Sequence, residues 1–288
     1  MITVNSTSSR VTELSADGLF TQSMGPVLCP LCESDHSSAT PSIPGRVRCA
    51  CGMVYRPAPR SISHSGYFES EYSNAERFEK FYGNHRRKRF RRLIDKVSSR
   101  VGHAEQWLDI GCGPGDLLLE ARRRGWECSG MDCSPCAVAM TRQRGLRTFA
   151  GYFPGDLPKS ESRYDAISMI YMLEEVEDPK SLLRECKERL RPGGVLVLEL
   201  KNFSFWVHAE RFFRSRCGIW CPLDIRTYSL STITRFLEAA GFELVAVIPS
   251  GLKGSPILTQ LFSVGIIITK QAFSPSIIVI ARSEEKID

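Results

Sequence analysis

The chain has no long apolar run. Its most apolar stretch near the C-terminus, residues 257–269, contains Thr259, Gln260 and Ser263 and is too short to cross a bilayer. No charged-then-apolar pattern opens the sequence, so no secretory signal is expected. Histidine is scarce: there are five, and His208 is the only one after His103. Charge of one sign is scarce too. Thirty-eight Lys and Arg against 32 Asp and Glu leave +6, in a chain that is 42% hydrophobic and 24% charged, ordinary for a globular protein. At 288 residues it has room for one or two domains. Cysteine is not scarce. The eleven cysteines are too scattered for a small disulfide scaffold, which points to a reducing compartment and hence the cytoplasm.

Residues 1–25 are rich in Ser and Thr and poor in large apolar groups, and are expected to lack fixed structure. Cys29 and Cys32 follow, then sixteen residues, then Cys49 and Cys51. Two close cysteine pairs on tight turns can close a tetrahedron of thiolates around zinc. The first pair has the usual two-residue gap and the second has one. The competing reading is a ribbon that keeps its fold without metal. Four cysteine ligands leave no open position, so the metal is expected to be structural. This module spans 26–60 and leaves through Arg56-Pro57-Ala58-Pro59-Arg60; a linker and covering helix fill 61–103.

From Asn74 to Val101 apolar residues recur at spacings of three and four, among them Phe78, Phe81, Phe90, Leu93, Ile94 and Val97, which predicts a helix. It carries the basic run His85 to Arg92. Such a run suits nucleic acid. The plainer reading is a solvated helix face, because the total charge is small and Glu76, Glu79 and Asp95 surround the run. His85 falls on the apolar side and reads as a packing residue.

The centre of the chain is the stretch Gln106 to Asp116. An apolar strand runs into Gly111-Cys112-Gly113-Pro114-Gly115, and a helix follows, with Asp116 placed as its cap. Glycines at such a turn let a ligand approach the backbone. Asp132 ends the next apolar run, 23 residues after Asp109. An acid there can accept from both hydroxyls of a ribose. A dinucleotide fingerprint would need glycine where Asp116 stands, and that carboxylate would repel a pyrophosphate at the helix start. A nucleoside cofactor without phosphate fits better. Beyond this stretch strands and helices alternate, with strands at 107–110, 126–131, 146–150, 164–170, 195–200, 242–248 and 277–281. That predicts an α/β fold with a mostly parallel sheet covered on both faces.

On these motifs the chain resembles the class I S-adenosylmethionine (SAM) methyltransferases. Asp109 to Gly115 is similar to their first motif and Gly130 to Pro135 to their ribose-binding strand end. Tyr164 to Ile167, Leu173 to Pro179 and Leu190 to Leu196 resemble three later segments. Cysteine ribbon, Pro-Arg linker and the Tyr-rich segment 67–72 resemble a bacterial subgroup associated with sugars, glycans and secondary metabolites. The resemblance implies a Rossmann-like sheet of seven strands, the last antiparallel, over 104–288. It places Asp109, Gly111, Cys112, Gly113 and Gly115 along the methionine part of SAM, Asp132 on the ribose and Cys133 beside the adenine. Asp156 would serve the adenine amino group with Phe153 stacking nearby, or else simply hold a surface turn.

The subgroup often has histidine after the fourth strand and again before the sixth. Here those places read Leu173-Glu174-Glu175 and Asp224 to Ser229, without histidine. Glu175 stands in for a general base, or complements a helix start. His208 is the other candidate, within an aromatic-rich insertion at 202–226; a second insertion spans 251–273 and could touch a membrane or a lipid-linked acceptor. Both could roof an acceptor pocket. The reading is methyl transfer to a small-molecule or sugar-type acceptor, most simply at oxygen. The alternatives are an RNA methyltransferase, since one ribosomal RNA guanine family joins a similar ribbon to this fold, and a non-catalytic SAM-binding or protein-interaction relative.

Overall fold

The computed structural model describes residues 12–14, 20–22, 28–34, 46–56, 72, 75–101, 105–161, 163–205, 224–250 and 274–283. They fall in two compact units, Met1–Ala58 and Pro59–Asp288.

In the first unit β1 (Thr12–Leu14) pairs antiparallel with β2 (Phe20–Gln22). This ladder lies within the stretch expected to lack structure; Thr12, Thr21 and Phe20 all favour extended backbone. Strand β3 (Val47–Arg48) pairs antiparallel with β4 (Val54–Tyr55). Met53 and both residues of β4 are buried.

The second unit opens with α1 (Ala75–Val101). Phe90, Leu93, Ile94 and Val97 lie on one stripe of it and are buried against Trp107, Trp126 and the sheet. Then come β5 (Gln106–Ile110), α2 (Asp116–Arg122), β6 (Glu127–Asp132), α3 (Pro135–Gln143) and β7 (Arg147–Ala150). Strand β8 (Tyr164–Ile170) leads to a short 3-10 turn, Leu173–Glu175, and to α4 (Pro179–Arg189). Strand β9 (Leu190–Lys201), the short β10 (Arg226–Thr227), α5 (Leu230–Ala239), β11 (Phe242–Ser250) and β12 (Ser276–Ser283) complete the unit.

The large sheet has seven strands in the order β11-β12-β9-β8-β5-β6-β7. Strands β9, β8, β5, β6 and β7 are parallel, and β12 runs antiparallel to both neighbours. This is the expected seven-stranded α/β sheet with its last strand reversed. Strands β8, Tyr164 to Ile170, and β12 carry continuous apolar burial, as strands covered on both faces do. Strand β9 starts earlier than expected, at Leu190, which pairs with Tyr164; pairing resumes at Val195 opposite Ala166, and Arg191 to Gly194 bulge out between them, with Gly193 at φ 74°. The chain order reverses direction about β5, so the carboxyl ends of β5, β6 and β8 open on one crevice.

Helix starts follow their sequence signals with one exception. Ser134 caps α3, accepting from the Ala137 amide at 3.3 Å with Pro135 first in the helix. Ser229 and Thr232 form a reciprocal cap on α5. Asp116, expected as the cap of α2, is its first residue instead. The cap position is Gly115 at φ 81°, and Asp116 turns its carboxylate to Arg144 at 2.7 Å. An ion pair with a half-buried guanidinium outcompetes the local amide bond. The cap insertions 202–226 and 251–273 are described only at 202–205 and 224–226, and His208 and the side chain of His85 lie outside the described residues.

Candidate functional site

The glycine turn sits at the crevice, between β5 and α2. Gly113 is at φ 51°, and a Cβ there would stand 3.0 Å from the Tyr72 hydroxyl. Gly115 serves packing: a Cβ would meet Leu146 and Thr141 at 2.9 Å. The Thr141 hydroxyl donates to the Gly113 carbonyl at 2.8 Å, tying the turn to α3.

Asp132 ends β6 directly beside the turn. Its Oδ2 accepts from the Gly113 amide at 2.8 Å and its Oδ1 from the Ser134 amide at 2.9 Å. Each oxygen keeps a second lone-pair direction. Burial raises the pKa of this carboxyl, and the two amides oppose that. The carboxylate is therefore aimed by backbone that the fold fixes, and can take two neighbouring hydroxyls of a ribose. Asp109, one strand over, is fully buried. Burial pushes its carboxyl up to about 7, while the Ser168 hydroxyl, donating at 2.5 Å, and the charge of Arg86 pull it down. Trp107 donates in turn to Ser168 at 2.8 Å.

Cys112 belongs to the turn through its backbone. Its side chain points inward, packed with Leu118 and Leu146, and a Cβ on Gly130 would collide with its sulfur. Cys133 is half-buried, and its thiol and the exposed Tyr152 phenol are hydrogen-bond neighbours. Phe153 lies in the turn Tyr152–Asp156. Asp156 Oδ2 accepts from the Tyr152 amide at 2.8 Å, so this acid holds its own turn.

The far wall of the crevice is the turn after β8. Met172 lies 3.2 Å from where a Gly111 Cβ would be. Glu174 is buried; one oxygen accepts from the Lys201 amide at 2.8 Å and the other has no hydrogen-bond partner. Burial, with Asp224 adding, pushes its carboxyl up to about 7. Glu175 is half-buried. Burial first, then the charges of Asp224 and Glu174, push it up to about 8. Lys201 binds Asp224 at 2.6 Å.

Sequence reasoning missed two residues of this site, Tyr72 and Arg86. Burial and the nearby Asp132 raise the Tyr72 phenol, while Arg86 lowers it. Arg86 stands 3.9 Å from Asp116 and 5.3 Å from the centre of the Phe90 ring. The signal was available: Arg86, Arg89, Phe90 and Leu93 share one helical stripe, so part of the basic run lies on the apolar face. Arg89 pairs with the buried Glu199 at 2.8 Å and Arg91 with Glu120 at 3.4 Å. Three of the run's cations are thus engaged by carboxylates of their own chain, so fewer are left for nucleic acid, and the run is only in part the solvated helix face expected.

In the first unit the sulfurs of Cys29, Cys32, Cys49 and Cys51 all lie within 4.8 Å of one another. Cys29 and Cys51 are 3.6 Å apart, Cys32 and Cys49 3.5 Å. Four ligands at the usual zinc–sulfur bond length of about 2.3 Å stand about 3.8 Å from each other, so the set fits the metal. The Leu31 amide donates to Cys29 at 3.4 Å and the Cys51 amide to Cys49 at 3.3 Å, which supports thiolate charge on both turns despite the single-residue gap in the second.

A mostly parallel sheet, a glycine turn and an acid at the end of the next strand are arranged as a nucleoside-bearing ligand would need. The chain belongs to the methyltransferase-domain family, whose profile matches residues 82–247. The ubiquinone biosynthesis O-methyltransferase of Alkalilimnicola ehrlichii is 33% identical over 117 residues, which are 38% of this chain and 47% of that protein. The protein of the same name from Azoarcus is 28% identical over 179 residues, 57% of this chain and 75% of its own. The chain thus spans about half the length of the first relative and three quarters of the second. Among solved structures, a SAM-dependent methyltransferase from Clostridium acetobutylicum superposes with a TM-score of 0.54 at 14% identity, covering 75% of this chain and all of its own. The N-methyltransferase NodS of Bradyrhizobium japonicum, bound to S-adenosylhomocysteine, gives 0.54 at 16% identity over 77% of this chain and 98% of its own.

Proposed function

We propose that this protein transfers a methyl group from SAM to a hydroxyl of a small organic acceptor, sugar-type acceptors among them. The observation that carries the reading is Asp132, whose two oxygens are each held by one backbone amide, of Gly113 and of Ser134, and each keep a lone pair for one hydroxyl of a vicinal diol. The glycine turn takes the homocysteine part, with Asp109 and Met172 beside it, and Arg86 with Tyr72 faces the amino-acid end. Cys133, Tyr152 and Phe153 flank the adenine; Asp156 acts through the turn it holds. When bound, SAM supplies an electrophilic methyl group on a sulfonium. The chain's own work is to hold an acceptor oxygen in line, which can supply most of the rate, and to take its proton.

Glu175 is the base. A carboxyl raised to about 8 is matched to proton removal from a hydroxyl near neutral pH. The O-methyltransferase names of the curated relatives support oxygen as the acceptor atom. The four cysteines carry a structural zinc. Among the described residues no helix is long and apolar enough to cross a membrane, and we place the protein in the cytoplasm.

The test is release of S-adenosylhomocysteine across a panel of phenols, sugars and RNA, in wild type beside Glu175→Gln. The expected result is turnover on a phenol or sugar, rising with pH through about 8 and about 100-fold lower in the variant. Turnover confined to RNA, with salt-sensitive binding, would replace the reading with the nucleic-acid one.

A further inference from the structure

Cys133-Ser134-Pro135-Cys136 places two cysteines three residues apart across the start of α3, in the β6–α3–β7 unit. Paired cysteines in this spacing at a helix start, with proline inside the pair, form the arrangement that thiol–disulfide chemistry uses. Both thiols are partly exposed and neither is in a disulfide. Ser134, between them, is the residue whose amide holds Asp132 Oδ1 and whose hydroxyl caps the helix. A bond between the two sulfurs would close a ring that contains Ser134, the residue whose backbone amide aims the Asp132 carboxylate.

We infer that Cys133 and Cys136 form a reversible disulfide that switches off cofactor binding, resting on the donor site assigned above. Cys136 lies in the first turn of α3, where the helix dipole favours a thiolate; Cys133 is the more hindered, held in its thiol form by burial and then by Asp132. The Cys136 thiolate attacks a small-molecule disulfide, forming a mixed disulfide and expelling one thiolate. Cys133, losing its proton to solvent, then attacks the Cys136 sulfur and expels the second thiolate. The chain gives up two electrons, and the small disulfide is reduced to two thiols. Linkage makes the switch reciprocal: bound SAM holds the Asp132–Ser134 geometry and opposes the bond.

The experiment exposes zinc-loaded full-length protein to oxidised glutathione, maps disulfides by peptide mass spectrometry and measures SAM affinity by calorimetry. The expected result is a Cys133–Cys136 bond, SAM affinity at least tenfold weaker, recovery with dithiothreitol, and slower bond formation when SAM is saturating. Cys136→Ser, with Cys136→Ala as a second variant, keeps its SAM affinity in oxidant. A bond elsewhere, no bond, or a Cys133–Cys136 bond that leaves affinity unchanged overturns the inference. Reduced wild type that binds no SAM counts against the donor site itself, and bond mapping still reports on the cysteine pair independently.

Discussion

The two walls of the crevice satisfy their acids in opposite ways. On the donor wall Asp132 is met by two backbone amides. On the acceptor wall Glu174, Glu175 and Asp224 crowd around Lys201, and one buried Glu174 oxygen has no partner. Backbone donors cost no side-chain entropy and stay in place whether or not a ligand is present. Burial first, and then the crowding of like charges, resists ionisation there and raises Glu174 and Glu175 to about 7 and 8. On the function proposed above, the wall that would bind the same cofactor in every cycle is built in advance, and the wall that would accept a proton keeps a carboxyl close to neutrality.

The contrast can be broken from either side. Gly115→Ala on the donor wall forces a side chain onto a φ of 81° and against Leu146 and Thr141. A loss of about 3 kcal/mol in stability is expected, by chemical denaturation, with weakened SAM binding. Glu175→Gln on the acceptor wall should lower turnover about 100-fold, some 2.7 kcal/mol in the barrier, and leave calorimetric SAM affinity unchanged. If affinity falls as much as turnover, the two walls are not separable.

Glu174→Gln gives a smaller effect with a definite sign. Its folded carboxyl, at about 7 against an ordinary 4.5, holds a proton that the unfolded chain has released. Native stability therefore falls as pH rises from about 4.5 to 7. The variant should be more stable than wild type by about 1–3 kcal/mol at pH 8 and equal to it at pH 4, read by thermal melts. The smallest effect belongs to Thr141→Val, which removes the tie to the Gly113 carbonyl and should cost about 1 kcal/mol.

The geometry of the wall around Asp132 was largely legible in the sequence, because its parts are local. Asp109, the glycine turn, Asp132 and the Ser134–Pro135 start lie within 27 residues and follow one strand–turn–helix rule. What escaped there came from distant chain: Tyr72 and Arg86 reach the turn from the covering segment. Asp116 deserted its cap for Arg144, which is 28 residues away. On the acceptor wall the sequence pointed to Glu175, but its raised pKa depends on Asp224, brought beside it across 49 residues. Pairing of that kind is a property of the sheet order and has no local signature. In the first unit the cysteine spacing was readable, and the closeness of the four sulfurs agrees with it.

The most direct measurement is calorimetric titration of SAM into the folded, zinc-loaded protein, wild type beside Asp132→Ala. Saturable binding by the wild type, weakened about 100-fold or more in the variant as two charge-assisted hydrogen bonds are lost, is the predicted result. Wild-type protein that binds no SAM, or a variant that binds as tightly as the wild type, would contradict the assignment of Asp132 and the donor wall built around it.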